Sequence, residues 1–316
     1  MISRRSVRIK VMQAIYGFER TEGATPETFK LSLKESILSV KDLYIFLLLS
    51  VREIANKVDD EARIKANKFL PTDEDKLFST KLLSNSIIQY LNHDKEFTKE
   101  VMASRLMDQM DDNINKVLYK KMVASEEYLA YLNSGEEFNF EADKKIVSYI
   151  FDHLVLSEEL FLQHIEEEFP SWDDDAVFVV DAVREVFKKS KSELKLHIEK
   201  ETMIDKFDEL ISFGTQLYEK VVANRDEVLK QIEPYLKNWE MDRIAVLDLI
   251  MIRMALTEFT DFSSIPVKVT MNEYIDMAKD YSTPKSKDFI NGILDRMMRE
   301  MKHQGKIKKT GRGLIE

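Results

Sequence analysis

No glycine falls between Gly23 and Gly135, and the whole 316-residue chain holds only 8 Gly and 6 Pro. Sheets need frequent tight turns, which draw on Gly, Asn and Pro, so a chain this poor in turn formers is committed to long helices. With 44% apolar and 33% charged residues there is material for a real core, and wholesale disorder is excluded. The length allows two domains or one elaborated fold. No stretch approaches the ~18–20 apolar residues that span a bilayer. The opening MISRRSVRIKVMQ lacks the apolar run of a signal peptide. Cysteine is absent, so disulfides, thiolate metal sites and cysteine nucleophiles are ruled out. An all-α, cytoplasmic protein is expected.

The net charge of −10 is unevenly spread. Residues 61–205 carry 19 Lys and Arg against 31 Asp and Glu, a net of −12, and the remainder carries 28 against 26. Residues 1–12 contain Arg4, Arg5, Arg8 and Lys10 and no acid. Residues 302–316 add Lys302, Lys306, Lys308, Lys309 and Arg312 against Glu316 alone. Two basic ends therefore flank an acidic middle.

Apolar spacing predicts helices over 3–20 and 27–58, the second with a greasy centre at Leu43–Val51 that should cross a core. Beyond Pro71 the pattern stays helical, with loop signals at Asn133-Ser134-Gly135 and Pro170-Ser171-Trp172. Further helices are predicted near 207–222, 225–237, 240–260, 270–281 and 286–301. In 244–256 only Asp248 and Arg253 are polar, which suits a helix buried on most sides. Thr270 and Glu273 have capping-box spacing. Gly292 in mid-helix suggests close approach of another helix. The tail after Met301 reads as mobile.

Catalytic motifs are lacking: no phosphate loop, no GxGxxG, no GxSxG and no HExxH. The five His have no i, i+4 pair, and Glu166–Glu168 and Asp173–Asp175 fan around a helix as solvated acids. No enzyme activity, cofactor or metal is expected. The basic start is more informative. Arg4, Arg5 and Arg8 lie within about 100° of arc on a helix. Cations are disfavoured at a helix N-terminus, yet there they concentrate positive potential for an anion. Arginine forks match phosphate bidentately, so this start is a candidate nucleic-acid contact; a soluble, frayed terminus is the bland alternative.

The opening RRSVRIKVMQAIY, residues 4–16, resembles that of the NusB family of transcription antitermination factors. Residues 209–300 are similar to the same family through DRIAVLDLIMIRMALTE (242–258), IPVKVTMNEYIDMAK (265–279) and KDFINGILD (287–295). The resemblance implies a pair of helical bundles, from residues 1–60 and 206–301, interrupted by an acidic helical lobe at 61–205 and followed by a basic tail at 302–316. It implies an RNA-binding adaptor that takes boxA-like single-stranded RNA together with NusE, a small-subunit ribosomal protein, within an RNA polymerase antitermination complex on ribosomal RNA transcripts.

For the RNA surface, the resemblance points to Arg4, Arg5 and Arg8 on phosphates, joined by Lys279, Tyr281, Lys285 and Phe289. Basic grooves with aromatic faces are how single strands are bound, although Phe289 also belongs to the apolar face of its helix. Asn291 and Gly292 are assigned to helix packing. For the protein partner it points to Arg253 and Glu258, taken as exposed on helix 240–260. Ser6 stands where relatives often carry a third Arg, and Lys285 where they are often acidic. Two rivals remain. An RNA methyltransferase with a NusB-like domain would need a Gly-rich nucleotide loop. A helical protein-binding scaffold with little RNA affinity is the other. The lobe, with Tyr149, Ile150, Leu154, Phe161, Ile165 and Phe169 at helical spacing, is expected to fold and project away from the RNA track; a lobe that masks the RNA site is the alternative.

Overall fold

The computed structural model describes residues 4–135, 139–189, 204–236 and 244–314, and among them no strand occurs: the chain is all-α. Helix α1 (Arg4–Arg20) stops ahead of Gly23, whose φ of +74° few other residues tolerate. Helix α2 (Pro26–Ala66) starts where Thr25 Oγ1 accepts the Thr28 N–H at 3.2 Å and Pro26 stands at the first helical position. It continues to Ala66, past the predicted end at 58. The chain divides into two compact units, one of residues Leu38–Lys206 and one of Ser3–Ile37 with Phe207–Glu316. The observed division therefore falls at 37/38, not 60/61, and the greasy centre of α2 belongs to the first unit.

In that unit Leu43, Ile45, Phe46, Leu47, Leu48, Leu49 and Val51 are wholly buried. Around them stand α3 (Asp73–Lys76), α4 (Ser86–His93), α5 (Lys95–Ala103), α6 (Asp112–Val123), α7 (Glu126–Leu132), α8 (Phe140–Tyr149), α9 (Glu159–Glu168) and α10 (Trp172–Lys188). Asn85, Asp94, Asp111, Ser125 and Asn139 open α4 to α8, each accepting a first-turn backbone N–H. Polar caps thus divide the lobe where glycine is missing. Phe46 lies 6.2 Å from the Phe161 ring and 5.1 Å from Phe169, so the acidic lobe has an aromatic core. Glu166–Glu168 are exposed, but Asp175 is buried and accepts from Ser171 Oγ at 2.7 Å.

The second unit adds α11 (Ile204–Ala223) from Phe207 onward, α12 (Arg225–Ile232), α13 (Val246–Asp261), α14 (Val267–Tyr281) and α15 (Ser286–His303) to α1 and the first turns of α2. The predicted start of α13 near 240 lies outside the described residues. From Ile250 to Phe259 every residue of α13 is buried, with α1, α12, α14 and α15 packed around it. Close helix approaches occur at Gly17 of α1, where a Cβ would stand 2.6 Å from Phe29 Cε1, and at Gly214 of α11, where it would stand 2.7 Å from Val7 Cγ1 and 3.1 Å from Ile37 Cδ1. At Gly292 a Cβ would meet nothing within 4 Å, which corrects the packing role expected there; Asn291 beside it is exposed too. The Thr270–Glu273 capping box does not form, because Pro266 precedes the first residue of α14 and Thr270 lies buried a turn inside it. The tail meets the end of α13, where Thr310 N–H donates to Ser263 O at 3.0 Å.

Candidate nucleic-acid interface

The three arginines of α1 have three different fates. Arg4 is exposed, its guanidinium 5.4 Å from the Phe213 ring centroid. Arg5 is half-buried and reaches Asp280 at 2.9 Å and Asp276 at 3.4 Å. Arg8 is buried. Its Nε and Nη2 donate to the two Glu258 oxygens at 2.7 and 2.9 Å, and both side chains are almost wholly out of solvent. Tyr274 Oη (2.6 Å) and Thr270 Oγ1 (3.0 Å) also donate to Glu258. Burial alone would lower the Arg8 pKa, but the Glu258 carboxylate outweighs it and holds the guanidinium charged above its ordinary value. Burial, helped by Glu258, pushes the Tyr274 hydroxyl well above its usual range.

This network corrects two expectations. Arg8 cannot reach a phosphate, because its fork is spent on a carboxylate inside the bundle. Glu258 cannot be touched by a partner. Arg253 is likewise buried, donating to Glu19 Oε1 at 2.6 Å and Val221 O at 3.2 Å; burial pulls its pKa down and Glu19 opposes that. Both residues on α13 serve as ionic ties between helices. The sequence carried a signal for Arg8: it shares a helix face with Val11 and Ile15, at i+3 and i+7, both wholly buried.

The remaining predicted residues sort themselves by the α14–α15 turn. Asp248 of α13, buried, accepts from Ser282 Oγ at 2.5 Å and Ser286 Oγ at 2.7 Å, which fixes that turn. On one side of it lies a groove of ≈ 630 Å³ lined by Gln13, Tyr16, Arg20 and Tyr281. On the other lies a groove of ≈ 610 Å³ lined by Lys285, Phe289, Gly292 and Arg296. The two share Ala245 and Thr283, so they form one track. Its walls carry three aromatic rings and three cations, Tyr16 with Arg20 5.7 Å above its ring, Tyr281, Lys285, half-buried Phe289 and Arg296, with Asp288 an exposed carboxylate among them. Lys279 is exposed and pairs with Asp276, lining neither groove. Gln13, Tyr16, Arg20 and Arg296 were not assigned from sequence. Tyr16 could have been, since Gln13, Tyr16 and Arg20 at i−3, i and i+4 share the face opposite Val11 and Ile15.

Known proteins bear on this site. The profile of the NusB family matches residues 175–299. The transcription antitermination protein NusB of Salinibacter ruber is 38% identical over 124 residues, which cover 39% of this chain and 78% of that protein. The chain belongs to the NusB family. The NusB of Chloroherpeton thalassium is 39% identical over 104 residues, 33% of this chain and 49% of that protein. That of Listeria welshimeri is 41% identical over 95 residues, 30% of this chain and 74% of that protein. No solved structure matches the chain. The NusB match takes in α13 to α15 and hence the turn and the second groove, and it begins inside α10 of the lobe. Helix α1 lies outside it, yet packs on α13 within the same unit. Among the described residues no helix is long and apolar enough to cross a membrane, and no group of three His, Asp or Glu could hold a metal ion.

Proposed function

We propose that this chain is an RNA-binding adaptor of transcription antitermination, without a catalytic step of its own. It takes a boxA-like single strand together with NusE and joins an RNA polymerase complex on ribosomal RNA transcripts. The track of Tyr16, Tyr281 and Phe289 with Arg20, Lys285 and Arg296 carries this reading. Every base offers a π-face to stack on, at ~1–3 kcal/mol per base, while cations follow the phosphates. Arg4 and Arg5 add charge at the start of α1; Lys279 adds to the rim.

A protein-binding scaffold is the second reading, and one observation favours it: Asp276 and Asp280 already occupy Arg5, and Asp276 also takes Lys279. Carboxylates in that position oppose a polyanion. Titrating a labelled boxA-type RNA at two salt concentrations, with and without NusE, separates the two. Binding that weakens with salt supports the adaptor. Lack of binding under both conditions leaves the scaffold.

A further inference from the structure

The tail after α15 is built into the second unit. Lys309 Nζ donates to the carbonyls of Glu258 (2.9 Å) and Phe262 (3.0 Å), which sets a cation on the C-terminal carbonyls of α13, where the helix dipole favours it. Burial lowers the Lys309 pKa, and the Glu258 charge opposes that shift. Gly311 takes φ +54°, and Gly313 is buried so tightly that a Cβ would stand 1.9 Å from Ser263 O. Only glycine fits there. Two of the tail's three glycines thus permit docking.

Between those glycines stands Arg312, exposed, on a cleft of ≈ 660 Å³ whose walls also carry Arg4, Arg5 and Lys268. With the buried Arg8, which also lines it, five cations from three separate segments meet there. The cleft's one carboxylate, Glu273, lies 3.6 Å from Arg8. Among the described residues, Arg312 and Lys268 have no carboxylate within ion-pair distance. Arg5 is already answered by Asp276 and Asp280, so the uncompensated charge falls on Arg312 and Lys268, and a bound polyanion relieves its Coulomb cost through ion pairing and counterion release.

We infer that the docked tail delivers Arg312 as a phosphate contact, so that Arg312, Lys268, Arg4 and Arg5 form an anion subsite for the RNA backbone apart from the aromatic track. This rests on the RNA reading above. The strap lies beyond residue 299, where the family match ends.

The test uses the full chain and a labelled boxA-type single strand, with affinity followed across a salt series. Arg312→Ala should weaken binding several-fold at low salt and reduce the log–log slope by about 0.7, one phosphate contact on a single strand. Gly313→Val keeps every charge but cannot dock, and should match Arg312→Ala. Lys306→Ala, an exposed cation of the same tail outside the cleft, should leave the slope unchanged. Circular dichroism checks that each variant remains helical. If Arg312→Ala behaves like Lys306→Ala, or Gly313→Val like the unaltered chain, the strap is not a phosphate contact. If the unaltered chain binds no RNA, the RNA reading falls and takes the strap with it.

Discussion

Arg8 shows how far one side chain's role depends on what faces it. Placed in α13, the Glu258 carboxylate needs a cation inside the bundle, and Arg8 arrives from α1 with the right fork. Removing either partner leaves the other charge buried and uncompensated, at ~3–5 kcal/mol. Arg8→Ala and Glu258→Ala should each lower the unfolding free energy by that amount, read from the urea midpoint and slope. Replacing both by Met and Leu should recover much of the loss. An Arg8→Ala chain of unaltered stability but reduced salt dependence would return Arg8 to the phosphates. The contribution of the arginine start to RNA binding accordingly rests on Arg4 and Arg5, whose joint replacement by Ala should reduce the slope by about 1.4, at ~0.7 each. Gly292 is the opposite case. With nothing within 4 Å of a Cβ, Gly292→Ala should stabilise α15 by ~0.5–1 kcal/mol, read as a higher unfolding midpoint. A drop in stability would mean that the groove wall is closer than it stands here.

Among the elements, the α14–α15 turn matters most, because Tyr281 and Lys285 flank it. Asp248→Ala should leave the Ser282 and Ser286 hydroxyls short of an acceptor, at ~1–3 kcal/mol, and loosen the turn. RNA affinity should fall in the variant while its helical content holds; undiminished affinity would detach the turn from the track. Most helices were legible in the sequence, because apolar residues at 3.6 spacing mark a buried face wherever one exists. The end of α2 was not, since its last turns, Asp59–Ala66, contain Ile64 at 59% exposure and bury little. The lobe read as helical with breaks only near 133–135 and 170–172, for Asn85 and Asp94 look like any surface polar residue until their side chains are seen on backbone N–H groups. For the site, Tyr281 lines one groove beside the turn, and Lys285 and Phe289 line the other. Arg253 and Glu258 were misplaced because spacing along one helix does not show what the neighbouring helix brings to it.

At the scale of the molecule, acidic and basic residues are segregated along the chain, and the two units have separate cores. A deletion of 61–205 would keep Leu43–Val51 while removing the Phe161 and Phe169 side chains that cover Phe46. That deletion should aggregate on gel filtration, whereas a linker replacing 38–206 should leave a soluble helical unit. Aggregation of both, or of neither, would count against the division at 37/38. The central claim is that the aromatic track of the second unit holds a single strand of RNA by stacking between cations. Its most direct test is the dissociation constant of the full chain for a labelled boxA-type single strand, measured beside Tyr281→Ala across the same salt series. The account predicts binding about 5- to 150-fold weaker in the variant, for ~1–3 kcal/mol of lost stacking, with the salt slope unchanged because no ionic contact is removed. Equal affinity for the two proteins, or no binding by either, would contradict it.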